Sequence, residues 1–105
     1  MTPDDLPGIS ERRFQAQIVQ LARLCGWLVY HTHDSRRSAA GFPDLVLCRA
    51  GPLFEGGELL FAELKTDRGK LTRGQEIWLA ALRAAGLRAV LWRPSMWKEI
   101  EQCLQ

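Results

Sequence analysis

The sequence has no apolar run approaching the ~20 residues that a membrane-spanning helix needs. It has only three cysteines, Cys25, Cys48 and Cys103, odd in number, far apart and without a CxxC pair. That excludes a disulfide framework and a zinc ribbon, and leaves the thiols as small buried hydrophobes in a reducing compartment. The opening MTPDDLPG is acidic and carries neither a basic n-region nor an apolar h-region, so no secretory signal is expected there and a cytoplasmic setting is. There is no glycine-rich strand-to-helix turn, which argues against a dinucleotide-binding domain. Internal repeats and low-complexity tracts are missing too. The net charge of +2 is no strong excess of either sign. Nucleic-acid binding is permitted by that balance, but it depends on where the charges lie.

What is present is enough for one core. Apolar residues make up 47% of a 105-residue chain, so a single domain over residues 10–105 is expected, preceded by a lead-in over residues 1–9. Ser10 is a good N-cap, and a helix should follow to about Leu24, with Phe14, Ile18, Leu21, Ala22 and Cys25 on one stripe. Glu11 falls on that stripe, either as a carboxylate favoured by the helix dipole or as an acid aimed at a site. Gly26 closes the helix, and residues 26–32 read as a strand. His31 and His33, two apart, can share a face, but no further ligand is spaced to complete a zinc site, so they read as strand-end histidines near a polar loop, with a substrate-phosphate contact as the alternative.

Two later stretches hold the chemistry. GFPDLVLC, residues 41–48, puts Asp44 at the mouth of an apolar run expected to be a strand buried on both faces. LLFAELK, residues 59–65, returns as a strand that ends in Glu63 and Lys65. Residues two apart on a strand point to the same face, so a carboxylate and an ammonium stand side by side. With Asp44 on the neighbouring strand, two carboxylates can hold a hard divalent cation, and the lysine can hold a water or a developing charge. The polar loop of residues 34–41 leads into Asp44 and carries Ser35, Arg36 and Arg37, whose guanidinium forks match phosphate oxygens. Residues 49–58 read as a hairpin connection, and residues 66–74 as a basic connector with Lys70 and Arg73. Thr72 and Gln75 fit a capping box, while Gln75 also shares an inward stripe with Trp78, Leu82 and Ala85. A strand over residues 87–93 and a helix over residues 96–104 capped by Ser95 complete the chain.

With Glu11, Gly41-Phe42-Pro43-Asp44, Glu63-Leu64-Lys65 and residues 71–75 (LTRGQ) in that order, the sequence resembles the VRR-NUC branch of the PD-(D/E)XK nuclease superfamily, over residues 10–92. The resemblance is to the stand-alone type of phages and bacteria, which implies a bacterial or phage-infected host cytoplasm. It implies an α/β fold of order αβββαβα, a mixed four-stranded sheet flanked by helices. It further implies a Mg2+- or Mn2+-dependent endonuclease acting on DNA. In that reading Asp44, Glu63, the Leu64 main-chain carbonyl and Glu11, the last directly or through water, hold the metal; Lys65 and Gln75 serve the attacking water. Ser35, Arg36, Arg37, Lys70 and Arg73 are the substrate-binding candidates. The substrate expected is branched or Holliday junction-like DNA, since so small a domain has little surface for reading bases. A homodimer is expected because symmetric cuts need two sites on a two-fold axis, and because residues 92–104 carry more apolar surface than a small core obviously needs. The alternative is a catalytically silent nucleic-acid-binding or assembly module on the same fold.

Overall fold

The computed structural model describes residues 8–33 and 39–105. Ser35, Arg36 and Arg37, and most of the lead-in, lie outside the described residues. The order is α1 (Glu11–Leu24), β1 (Leu28–His31), β2 (Leu45–Ala50), β3 (Gly57–Leu64), α2 (Arg73–Ala84), β4 (Arg88–Trp92) and α3 (Trp97–Leu104). The mixed four-stranded sheet and the element order αβββαβα are those expected. The strands lie side by side in chain order. β1–β2 pair antiparallel across residues 32–44, β2–β3 pair antiparallel across the short connection at residues 51–56, and β3–β4 pair parallel across the helical crossover α2.

The alternation of the strands divides the chain into two layers. On one face Leu45, Leu47, Leu60, Ala62, Leu64 and Trp92 meet Phe14, Ile18 and Ala22 of α1 and Trp97, Ile100 and Leu104 of α3. Ile9, assigned from sequence to the lead-in, is buried and joins this core. α1 starts where Ser10 accepts a hydrogen bond from the Arg13 amide at 3.1 Å. Arg49 ties the far end together. It donates to the carbonyls of Cys25 and Leu104 at 3.0 and 2.9 Å, bonds Glu58, and lies over the Trp27 ring. A cation at two helix C-terminal ends is favourably placed.

The second face is only half covered. α2 packs Leu79 and half-buried Trp78 and Leu82 over the β3–β4 side, with Phe42 edge-on to both Phe61 and Trp78. Ala85 is exposed, so the inward stripe ends one turn earlier than the spacing predicts. The β1–β2 side stays open: Val46 is half-buried, and Leu28 and Cys48 are exposed. β2 is therefore buried on one face rather than both, and Cys48 is not a core thiol, because α2 does not reach that far across the sheet. Ser95 does not cap the last helix. A 3-10 turn, Pro94–Met96, runs into α3, and the Ser95 amide donates to Asp67 at 3.0 Å. The apolar surplus of residues 92–104 is absorbed inside the chain, since Trp92, Trp97, Ile100 and Leu104 are all buried.

The hairpin between β2 and β3 is unusual. Leu53 and Phe54 have φ of 57° and 61° and are 91% and 90% exposed. The Glu55 amide donates to the Pro52 carbonyl, so the pair occupies the two central positions of a mirror-image turn. Asn-Gly is the pair that suits such a turn, because side chains with bulk at Cβ pay roughly 1–2 kcal/mol in the left-handed region. Replacing Leu53-Phe54 by Asn-Gly is expected to stabilise the fold by about 1 kcal/mol or more and raise the melting temperature by roughly 5 °C. An unchanged or lower melting temperature in a calorimetric scan would show that these side chains hold the turn by contacts of their own.

Candidate active site

Asp44 immediately precedes β2, and β2 pairs Leu45 with Ala62 of β3, so continuing the register sets Asp44 opposite Glu63. The Asp44 loop is pinned at both ends. The Thr32 hydroxyl donates to the Pro43 carbonyl at 2.7 Å, and the Thr32 amide donates to the Asp44 carbonyl at 2.8 Å. The Asp44 carboxylate accepts the Leu64 amide at 2.8 Å, which fixes one of its oxygens against the end of β3. Lys65 continues the β3–β4 ladder, its amide donating to the Trp92 carbonyl at 3.1 Å.

Glu63 is the anomaly of the molecule. It is the one charged residue among the buried side chains described, at 1% exposure. One carboxyl oxygen accepts Gln75 Nε2 at 3.1 Å; the other, Oε2, has no hydrogen-bond partner among the described residues. Buried carboxylates are ordinarily paired, because an unpaired buried charge costs several kcal/mol. Here burial first, then a hydrogen bond shared with Asp44 and the Asp44 charge, push the Glu63 carboxyl up to about 9. Lys65 opposes this rise and Glu11 adds to it. Glu11 itself is raised by partial burial and by Asp44, against Lys65. Glu11, Asp44, Glu63 and Lys65 thus share one electrostatic neighbourhood.

Gln75 performs both roles that its position allowed. Its Oε1 accepts the Thr72 amide at 2.8 Å, and its own amide donates to the Thr72 hydroxyl at 3.2 Å, which closes the capping box. Thr72 can only donate there, so the oxygen of the side-chain amide must face it and the NH2 must face Glu63. This reach depends on a close approach that sequence reading did not register. Gly41 has φ of 88°, and a Cβ on it would stand 2.5 Å from the Gly74 carbonyl oxygen and 2.6 Å from the Gln75 nitrogen. Glycine at 41 lets the start of α2 lie against the loop before Asp44, and a Cβ at Gly74 would be tight there, 3.3 Å from the Ala40 carbonyl oxygen. Arg93 was missed as well. It donates to the carbonyls of Thr66 and Gly69 at 2.6 and 2.7 Å and so holds the connector after Lys65. Lys70 and Arg73 are exposed on the run into α2, beside Gln75 in sequence but making no contact with the carboxylates among those described.

The residues fit a divalent cation on one observation above all: a buried carboxyl oxygen without a partner, beside a second carboxylate. Hard cations such as magnesium take such oxygen donors. Among the described residues no three His, Cys, Asp or Glu side chains close into a full ligand set. The paired donors are Asp44 and Glu63, with Glu11, an exposed side chain, at longer range.

Comparison with known proteins identifies the class. The sequence profile of the VRR-NUC domain matches residues 6–95. The chain belongs to the VRR-NUC domain family, a nuclease-type family. Two similar solved structures are described as "VRR_NUC domain" and "VRR_NUC domain protein", both 20% identical with a TM-score of 0.68. The first covers 99% of this chain and 96% of its own; the second covers 93% and 87%. At that identity they establish the fold. No curated protein matches the chain. No helix among the described residues is long and apolar enough to cross a membrane.

The raised Glu63 carboxyl has a measurable consequence. Between its ordinary value of 4.5 and about 9 the folded chain binds a proton that the unfolded chain has released. Stability of the metal-free protein should therefore fall as pH rises through that window, opposite in sign to a salt-bridged carboxylate. In a chelator, melting temperature is expected to drop from pH 6 to pH 9 in the parent and to change much less in Glu63→Gln. Parallel curves for the two proteins would show that Glu63 is ionised throughout.

Proposed function

We propose that the chain is a divalent-metal-dependent endonuclease that hydrolyses DNA phosphodiester bonds, with Asp44, Glu63 and Lys65 at its centre. The observation that carries this reading is the buried Glu63 carboxyl with its unpartnered oxygen beside Asp44. Asp44, Glu63 and the Leu64 carbonyl would hold Mg2+ (or Mn2+), with Glu11 through water. Such an ion, when bound, lowers the pKa of water and offsets phosphate charge. Lys65 lies two residues beyond Glu63 on the same strand edge. Its ammonium orients the attacking water and balances negative charge that develops on the phosphoryl oxygens. Gln75, with its oxygen committed to the helix cap, presents only its NH2 and keeps Glu63 in place. The water oxygen bonds to phosphorus, the bond to the leaving ester oxygen breaks, and that oxygen leaves with a proton from solvent or bound water.

Substrate contacts are assigned to Ser35, Arg36 and Arg37 on their position in the sequence before Asp44, and to Lys70 and Arg73 before Gln75. Structured or branched DNA is the proposed substrate, because so small a domain offers little surface for reading bases, which favours recognition of shape and backbone. A homodimer is proposed with it. Its support is no longer residues 92–104 but the open row Leu28, Cys48 and Leu59, which lies across three paired strands on the uncovered sheet face.

Lys65→Ala is expected to bind manganese with heat like the parent but to lose cleavage of plasmid and four-way-junction DNA by at least about a hundredfold. Asp44→Asn should lose both. Cleavage by Lys65→Ala at the parental rate would remove the lysine from the chemistry. A parent that binds DNA without cutting it in either metal would leave a silent binding module.

A further inference from the structure

Beside the candidate site runs a cleft of about 640 Å3 between α1 and the free edge of the sheet. Arg12 and Arg23 stand on its helical wall, His31 lies across from them on β1, and Ala16, Val19 and Leu24 supply apolar surface. None of the side chains that line it is acidic. Its position follows from the fold. α1 begins next to the site at Glu11 and runs away from it, and β1 returns and ends at His31, opposite Leu45 and one residue from Asp44. Arg12 to Arg23 spans eleven residues of helix, roughly 16 Å at 1.5 Å per residue. The cleft is therefore a trough that runs along α1 from Arg12, the residue after Glu11, to Arg23 and Leu24, with His31 at the site end of β1.

We propose that this trough binds a single-stranded stretch of DNA continuous with the strand whose phosphate occupies the Asp44–Glu63 site. The proposal rests on the nuclease reading of that site and names where the substrate strand goes. Two arginines at that separation match a backbone with repeated phosphates, and the guanidinium fork suits phosphate oxygens. Bases have apolar faces and rest on Leu24, which is 79% exposed, and on the outer part of Val19, which is half-buried against the core. His31 packs edge-to-face with His33 at 4.8 Å, which holds its ring as a stacking surface at the mouth. A cleft of this volume is on the scale of small ligands and takes a strand, not a duplex. The other cleft near the site, lined by Ser10, Thr66, Asp67, Arg68 and Pro94, sets an acid beside its one cation and lacks this charge complementarity.

The test is metal-free binding, which is independent of cleavage. A fluorescent oligothymidylate is titrated in EDTA against the parent, Arg12→Gln, Arg23→Gln and Lys98→Gln, the last removing an equal charge from exposed α3. The parent is expected to prefer the single strand over a duplex of the same length. Each arginine variant should weaken binding several-fold and reduce the slope of log affinity against log salt by about 0.7. His31→Ala should weaken binding and leave the slope unchanged, as lost stacking does. Lys98→Gln should match the parent. The trough is overturned if the parent binds no single strand, if it prefers duplex, or if Lys98→Gln loses as much as the arginine variants. The nuclease reading fails separately, by the absence of cleavage in magnesium or manganese, whatever the oligothymidylate does.

Discussion

The structure turns on one buried carboxyl. Glu63 sits at the end of an otherwise apolar strand, nearly without solvent, next to a second acid. Left ionised and alone, it would cost more than the few kcal/mol by which a small domain is stable. The chain answers with one hydrogen bond from Gln75, a proton held to unusually high pH, and a nearby ammonium. In the ionised form Oε2 has no donor among the described residues, and a proton on Glu63 would be shared with Asp44. Gln or Leu would pack there at lower cost, and a bound cation is what the proposed function sets against that cost.

That constraint accounts for features otherwise unconnected. The Gly41–Gly74 contact has no packing purpose of its own, yet without it α2 would stand away from the Asp44 loop and Gln75 would not reach Glu63. The capping box orients the Gln75 amide as much as it begins a helix. Arg93 ties down the connector after Lys65, and Thr32 ties down the one before Asp44. Each interaction fixes backbone at one end of β2 and β3. The opposite end, by contrast, carries the strained Leu53-Phe54 turn. These tying contacts are concentrated at the carboxylates, where the proposed hydrolysis would need fixed groups.

Most of this was legible in the sequence because the signals were local. Helix caps at Ser10 and Thr72, the glycine stop at Gly26, and the apolar strand runs after Asp44 and up to Glu63 each specify their own segment, and the helix between the last two strands implies a crossover. The pairing of Asp44 with Glu63 was legible too, since Asp44 opens one apolar run and Glu63 closes the next. What was not legible depended on reach across space. Whether β2 is buried on both faces depends on how far α2 extends over the sheet, which no residue of β2 encodes; hence Cys48 is exposed. The Ser95 cap failed because Pro94 favours a 3-10 turn and Asp67, distant in sequence, takes the Ser95 amide. The trough beside α1 arises from two elements that each look ordinary alone.

The most direct test is a crystal structure at neutral to alkaline pH with manganese, phased to show anomalous scattering. The account requires a peak between the Asp44 and Glu63 carboxyl groups, within direct coordination distance of both, with Gln75 still bonded to the other Glu63 oxygen. A peak elsewhere, at His31 and His33 for instance, or a fully bound Asp44 beside a Glu63 that remains unliganded, would contradict it.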